Sequence, residues 1–142
     1  MRFCILWMIA CFLLKAADLP RFREHVITKE LKMGYQLVAT DINCDGKKDL
    51  IAVDERATEL VWFENPGWSR HILAVDVPRP INADCADIDG DGIPEVALAF
   101  RFETSPEKSV GNLVLLKSGK DVRQPWTARE IEIGRASCRE RV

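Results

Sequence analysis

The sequence predicts an all-β fold made of about two four-stranded blades of an incomplete β-propeller. Three observations carry that prediction. A short acidic loop occurs twice, 46 residues apart. Each copy is flanked by short β-branched, partly alternating runs, which read as strands rather than helices. An aromatic-started segment precedes each loop at the same offset: FREHVI begins 19 residues before Asp41, and WSRHIL begins 19 residues before Asp87.

From the N-terminus, MRFCILWMIACFLLKAAD has a basic Arg2, an apolar run to Leu14 and small residues at Ala16 and Ala17. That pattern is expected of a secretory signal peptide over residues 1–17, cleaved after Ala17. The apolar run is too short for a membrane span. Cys11 fits a lipoprotein acceptor poorly, because Met8 stands three residues before it. The expected localisation is secreted, periplasmic or cell surface.

FREHVI (22–27) is read as the first aromatic-started strand, followed by LVAT, which leads into the first loop. That loop is Asp41-x-Asn43-x-Asp45-Gly46-x-x-Asp49. Alternate oxygen side chains followed by glycine suit a hard cation such as calcium, which takes several oxygen ligands around a sharp turn. The expected ligands are Asp41, Asn43, Asp45 and Asp49 through their side chains and Lys47 through its backbone carbonyl. Gly46 falls where the chain turns back, so it is expected to have positive φ, which glycine adopts at low cost.

DLIAVDE and ELVWFEN follow as strands, and Asn65-Pro66-Gly67 marks a tight turn before WSRHIL. The second loop, entered from CADI, is Asp87-x-Asp89-x-Asp91-Gly92-x-x-Glu95. Its expected ligands are Asp87, Asp89, Asp91 and Glu95, with the carbonyl of Ile93, and Gly92 repeats the role of Gly46. The alternative for either loop is an acidic turn without metal, since Asp, Asn and Gly are ordinary turn residues. Two copies in register favour metal, because carboxylates crowded this closely repel one another when nothing neutralises them. An EF-hand is excluded: its bidentate Glu at loop position twelve is Ala52 in one copy and Leu98 in the other.

WTAREI reads as a third copy of the aromatic-started strand, opening a third unit after EVALAFR and NLVLLKSG complete the second unit. WTAREI begins 58 residues after WSRHIL rather than 46, so the second unit carries extra residues. Part of the excess is assigned to the polar stretch RFETSPEKSVGN. The blades are expected to span residues 18–131. IGRASCRERV (133–142) breaks the strand pattern, and one reverse translation of it matches the start of a widely used short-read sequencing adapter. Residues 132–142 are therefore expected to be translated adapter rather than native chain. A propeller needs at least about four blades to close, so the remaining chain is read as an N-terminal fragment whose missing blades lie elsewhere in the native protein.

The formal net charge is −2 and no Lys/Arg run occurs, which argues against nucleic-acid binding. His25 and His71 share one repeat position, which favours a structural role over a catalytic one. Trp62, Phe63, Trp68 and Trp126 are expected in inter-blade packing rather than in a sugar-stacking platform. Cys44 and Cys85 are the cysteines outside the two end segments. A secreted setting permits a disulfide between them, but their repeat positions differ, and pairing needs Cα atoms within about 7 Å. No nucleophile elbow, zinc motif, phosphate loop or dinucleotide fingerprint occurs, so no catalytic or cofactor-binding residue is assigned.

The loops, the apolar strands after them and the VWFENPGW segment resemble FG-GAP/VCBS-type repeats, the calcium-loop β-propeller repeats also found in integrin α-subunit heads. The resemblance covers roughly residues 21–131. It implies blades of four antiparallel strands with calcium at one blade end, and about two Ca²⁺ ions here. It implies no single activity, because the fold serves adhesion modules and enzymes alike. The expected function is a secreted calcium-binding propeller module that binds or adheres to protein or carbohydrate. The alternative is the front of a propeller enzyme acting on sugars. VWFENPGW followed by RHIL is similar to segments of lyase or dehydratase propellers such as aldos-2-ulose dehydratase, whose catalytic residues would lie outside this chain.

Overall fold

A computed structural model of the chain describes residues 21–103, 105 and 110–135. The expected signal peptide and residues 136–142 lie outside the described residues. Eight strands form two antiparallel four-stranded sheets. The first is β1 (Gly34–Thr40), β2 (Asp49–Asp54), β3 (Glu59–Glu64) and β4 (Ser69–Val75). The second is β5 (Asn82–Ala86), β6 (Glu95–Phe100), β7 (Val110–Lys117) and β8 (Thr127–Arg135). Each sheet is a simple meander, with strands in sequence order. No helix occurs among the described residues, and so none is long and apolar enough to cross a membrane.

The strands follow from period-two patterning, in which alternate side chains face opposite sides of a sheet. In β2 and β3, Ile51, Val53, Leu60 and Trp62 point to one face and Ala52, Val61 and Phe63 to the other. The first set joins Leu73 of β4, Val96, Leu98 and Phe100 of β6, Val114 and Leu116 of β7, and Trp126 in one continuous core. The two sheets therefore pack face to face across a shared interior. Each fully buried Leu, Ile or Val there contributes about 1.5–3 kcal/mol relative to exposure.

The outer face of the first sheet is also covered. Ile27, Leu31 and Trp68 pack on Ala52, Val61 and Phe63. The buried carboxylate of Asp54 anchors that cover by accepting from the backbone N–H groups of Lys32 (2.6 Å) and Met33 (2.9 Å). FREHVI is thus not a strand, contrary to its reading from the sequence; residues 21–28 have no regular structure. A strand needs a neighbour to satisfy its backbone N–H and C=O groups, and the first sheet begins at β1 without it.

Two contacts tie the sheets at their first strands and at their far ends. The side-chain amide of Gln36 in β1 donates to the carbonyl of Ala83 in β5 at 2.9 Å and accepts from its N–H at 2.8 Å. The N–H of Trp126 donates to the carbonyl of Leu73 at 2.8 Å. Trp62 lies 4.7 Å from its cross-strand partner His71, ring centroid to ring centroid. Trp62 and Trp126 are buried in the core between the sheets, as expected, whereas Phe63 and Trp68 pack in the outer cluster with Ile27 and Leu31 rather than between the sheets.

The extra residues of the second unit are divided between two connections. Residues 55–58 join β2 to β3, whereas 101–109 join β6 to β7. Residues 65–68 join β3 to β4, whereas 118–126 join β7 to β8. The sequence located the first enlargement and missed the second. Strand β8 also runs to Arg135, past the expected boundary at Ile131, with Glu132 opposite Leu113 and Arg135 opposite Val110.

Candidate metal centre

The two acidic loops are the β1–β2 and β5–β6 connections, so they occupy the same place in each meander. Their backbones match as well. Gly46 and Gly92 have φ of 85° and 92°, as their positions in the motif require. The fourth loop position is also left-handed, with φ of 57° at Cys44 and 81° at Gly90. A non-glycine residue there carries some strain. The equivalence of Cys44 with Gly90 was not anticipated from the sequence.

In the first loop, Asp41 accepts from the N–H groups of Asp45 (3.1 Å) and Gly46 (2.9 Å). Asn43 accepts from Asp45 N–H (3.1 Å) and donates through its amide to Glu64 (3.0 Å). Asp45 accepts from Lys47 N–H (2.9 Å) and from the Lys47 ammonium (3.3 Å). These bonds from Lys47 hold the Asp45 carboxyl below its usual range. Asp49 is fully buried and accepts from Ile42 N–H (2.9 Å) and Asn65 N–H (2.8 Å), closing the loop onto the next turn.

The second loop repeats most of this. Asp87 accepts from Gly90 (2.7 Å) and Gly92 (3.0 Å), Asp89 from Asp91 (3.2 Å), and Asp91 from Ile93 (2.8 Å). Glu95 is buried like Asp49 and accepts from Ile88 N–H at 2.9 Å. Asp87, Asp89 and Glu95 bring one carboxylate oxygen each to within 4.8 Å of one another, a cluster that could hold a metal ion. The side chains expected as ligands in both loops all offer oxygen, a set that suits a hard cation such as calcium rather than a soft transition metal. Asp91 is not part of the close trio.

Cys44 links the loops, its Sγ donating to the carbonyl of Gly92 at 3.0 Å. Burial and the carboxylates of Asp41, Asp91 and Asp87 push its thiol up, away from the reactive thiolate form. Cys44 and Cys85 are both free thiols.

One continuous segment of the chain matches a described family. Residues 41–98 match the FG-GAP-like repeat. The FG-GAP match starts on the first acidic position of the first loop, Asp41, and ends in β6, so it contains both loops and the first complete loop-to-loop period. No curated protein and no solved structure matches the chain.

Around these two loops, three charged residues matter that motif reading passed over. Leu50 pairs with Phe63, and Val96, its equivalent, pairs with Leu116. The next residues, Glu64 and Lys117, are therefore equivalent, and each reaches the third position of its own loop: Glu64 to Asn43, Lys117 to Asp89. Arg123, from the enlarged β7–β8 connection, crosses back to Glu64. The signal was available by laying ELVWFE over NLVLLK, which sets Glu64 on Lys117. Arg123 lies in the insertion and had no counterpart to align.

His71 Nε2 lies 2.8 Å from Glu64 Oε2, which gives it the structural role expected of it. His25 does not share that setting. It is exposed, and its ring is 6.4 Å from Trp68.

Proposed function

We propose that this chain supplies two blades of a secreted, calcium-braced β-propeller that serves as a binding module for protein or carbohydrate. The observation that carries the reading is the repetition of one loop, with one backbone conformation, at one place in two adjacent meanders. FG-GAP repeats of this kind suggest a propeller-like module, and such modules commonly bind ligands. Packing of one sheet face on the next is how blades build a ring. Asp41, Asn43, Asp45, Asp49 and the Lys47 carbonyl would hold one ion. Asp87, Asp89, Asp91, Glu95 and the Ile93 carbonyl would hold the other. Calcium would neutralise the carboxylates and brace both loops, coupling ion binding to folding.

The second sheet also supports a ring with further members. Its face away from the first sheet carries Ala97, Ala99, Leu113 and Leu115, all half-buried. Such a face is suited to packing against another blade. The experiment is a melt of the full chain with calcium and with chelator, followed by binding to a panel of glycans and extracellular proteins in both conditions. The reading requires a calcium-dependent rise in melting temperature and ligand binding that chelator removes. Identical melts would reject the calcium brace, and calcium-independent binding would separate the module's function from its loops.

A further inference from the structure

The two loops differ in what stands beside their third ligand position. In the second loop, the Lys117 ammonium donates to Asp89 and to Glu95 (3.2 Å) and lies 3.7 Å from Asp91. A single tethered cation thus contacts three of the loop's four acidic side chains, including two of the close trio. In the first loop the equivalent residue is Glu64. Arg123 and His71 bond it, and it receives a hydrogen bond from Asn43. Lys47 reaches the first loop, but only at Asp45 and from an exposed position.

We propose that Lys117 is a built-in cation of the second loop, which stabilises the loop without metal and which calcium must displace, so that the first loop takes calcium at lower concentration. The inference rests on the calcium reading above. Its physical basis is competition for the same oxygens. A calcium ion needs six to eight oxygen ligands at about 2.3–2.6 Å, and an ammonium holding three of the carboxylates both uses those oxygens and repels a second cation. Displacement also costs the ion pairs that Lys117 makes. In the first loop no side-chain cation bonds more than one carboxylate of the loop: Lys47 bonds Asp45, and Arg123 is bound at two points by Glu64.

The test is calcium titration calorimetry on the full chain carrying Asp45→Ala, which disables the first loop, with Lys117 present or replaced by Lys117→Met. The expected result is at least about tenfold tighter binding at the second loop in the Lys117→Met protein. A melt in chelator provides the second readout: Lys117→Met should lower the metal-free melting temperature, whereas Lys47→Met should leave it nearly unchanged. Should Lys117→Met fail to fold in chelator, Lys117→Gln replaces it, with the same expectations. Equal calcium affinities with and without Lys117 would overturn the competition while leaving the calcium reading intact. Absence of calcium heat from the Lys117→Met protein and from the unmutated chain at millimolar calcium would overturn both.

Discussion

Glu64 and Arg123, 59 residues apart, form a two-point ion pair that joins the end of β3 to the connection between β7 and β8. Arg123 Nε donates to Glu64 Oε2 at 2.9 Å, and a second guanidinium nitrogen donates to Oε1. Two-point Arg–carboxylate pairing fixes geometry as well as charge. The Glu64 carboxylate also accepts from Asn43 and lies against His71, so one side chain links a loop, a strand and the neighbouring sheet.

That arrangement makes a pH prediction. The bonds from Arg123, and then those from Asn43 and His71, hold the Glu64 carboxyl down to about 2 from its ordinary 4.5. A carboxylate whose pKa is lowered by folding stabilises the fold fully above its unfolded value and loses that contribution as pH falls through the folded one. Melting temperature measured in chelator from pH 6 to pH 2 should therefore fall more steeply in the unmutated chain than in Glu64→Gln. The gap at pH 6 should correspond to about 1–2 kcal/mol once solvent screening is allowed for. Parallel curves would show that the pair contributes nothing.

Asp49 has a structural task distinct from any bound ion. Its buried carboxylate satisfies Ile42 N–H and Asn65 N–H. Asp49→Ala leaves both donors without their partner, at about 1–3 kcal/mol each. The chain should lose stability in chelator as well as in calcium, by denaturant unfolding. Asp41→Ala removes a more exposed acceptor and should cost much less in chelator. Equal losses for the two variants would contradict this division of labour.

Gln36 is the direct link between the first strands of the two sheets. Gln36→Ala removes both bonds to the Ala83 backbone and should lower stability by about 1–3 kcal/mol. Gln36→Glu keeps an acceptor for Ala83 N–H but loses the donor to Ala83 C=O, and should lie between. Both sheets share one core, so these variants should shift a single cooperative unfolding transition. Two separated transitions would mean that the sheets fold independently.

How far the sequence foretold this molecule depends on which physics each feature uses. The acidic loops, their glycine turns and the strands around them were legible, because residue type at fixed spacing dictates each locally. Trp62 and Trp126 were legible as packing between the sheets from strand position alone, whereas Phe63 and Trp68 turned to the outer face. FREHVI matched the later aromatic-started segments in sequence but not in structure. Strand formation needs a paired neighbour, and Ile27 and Leu31 instead cover Ala52, Val61 and Phe63. The place of Lys117 could be read only by laying ELVWFE over NLVLLK, and the Arg123 contact not at all, since it depends on which way a long connection folds back.

The central claim is tested most directly by calcium titration calorimetry on the unmutated chain beside Asp45→Ala and Asp91→Ala. Two binding events are predicted in the unmutated chain, the tighter one lost in Asp45→Ala and the weaker one in Asp91→Ala. No calcium heat at millimolar concentrations, or binding unchanged by both substitutions, would contradict the assignment of these loops as calcium sites.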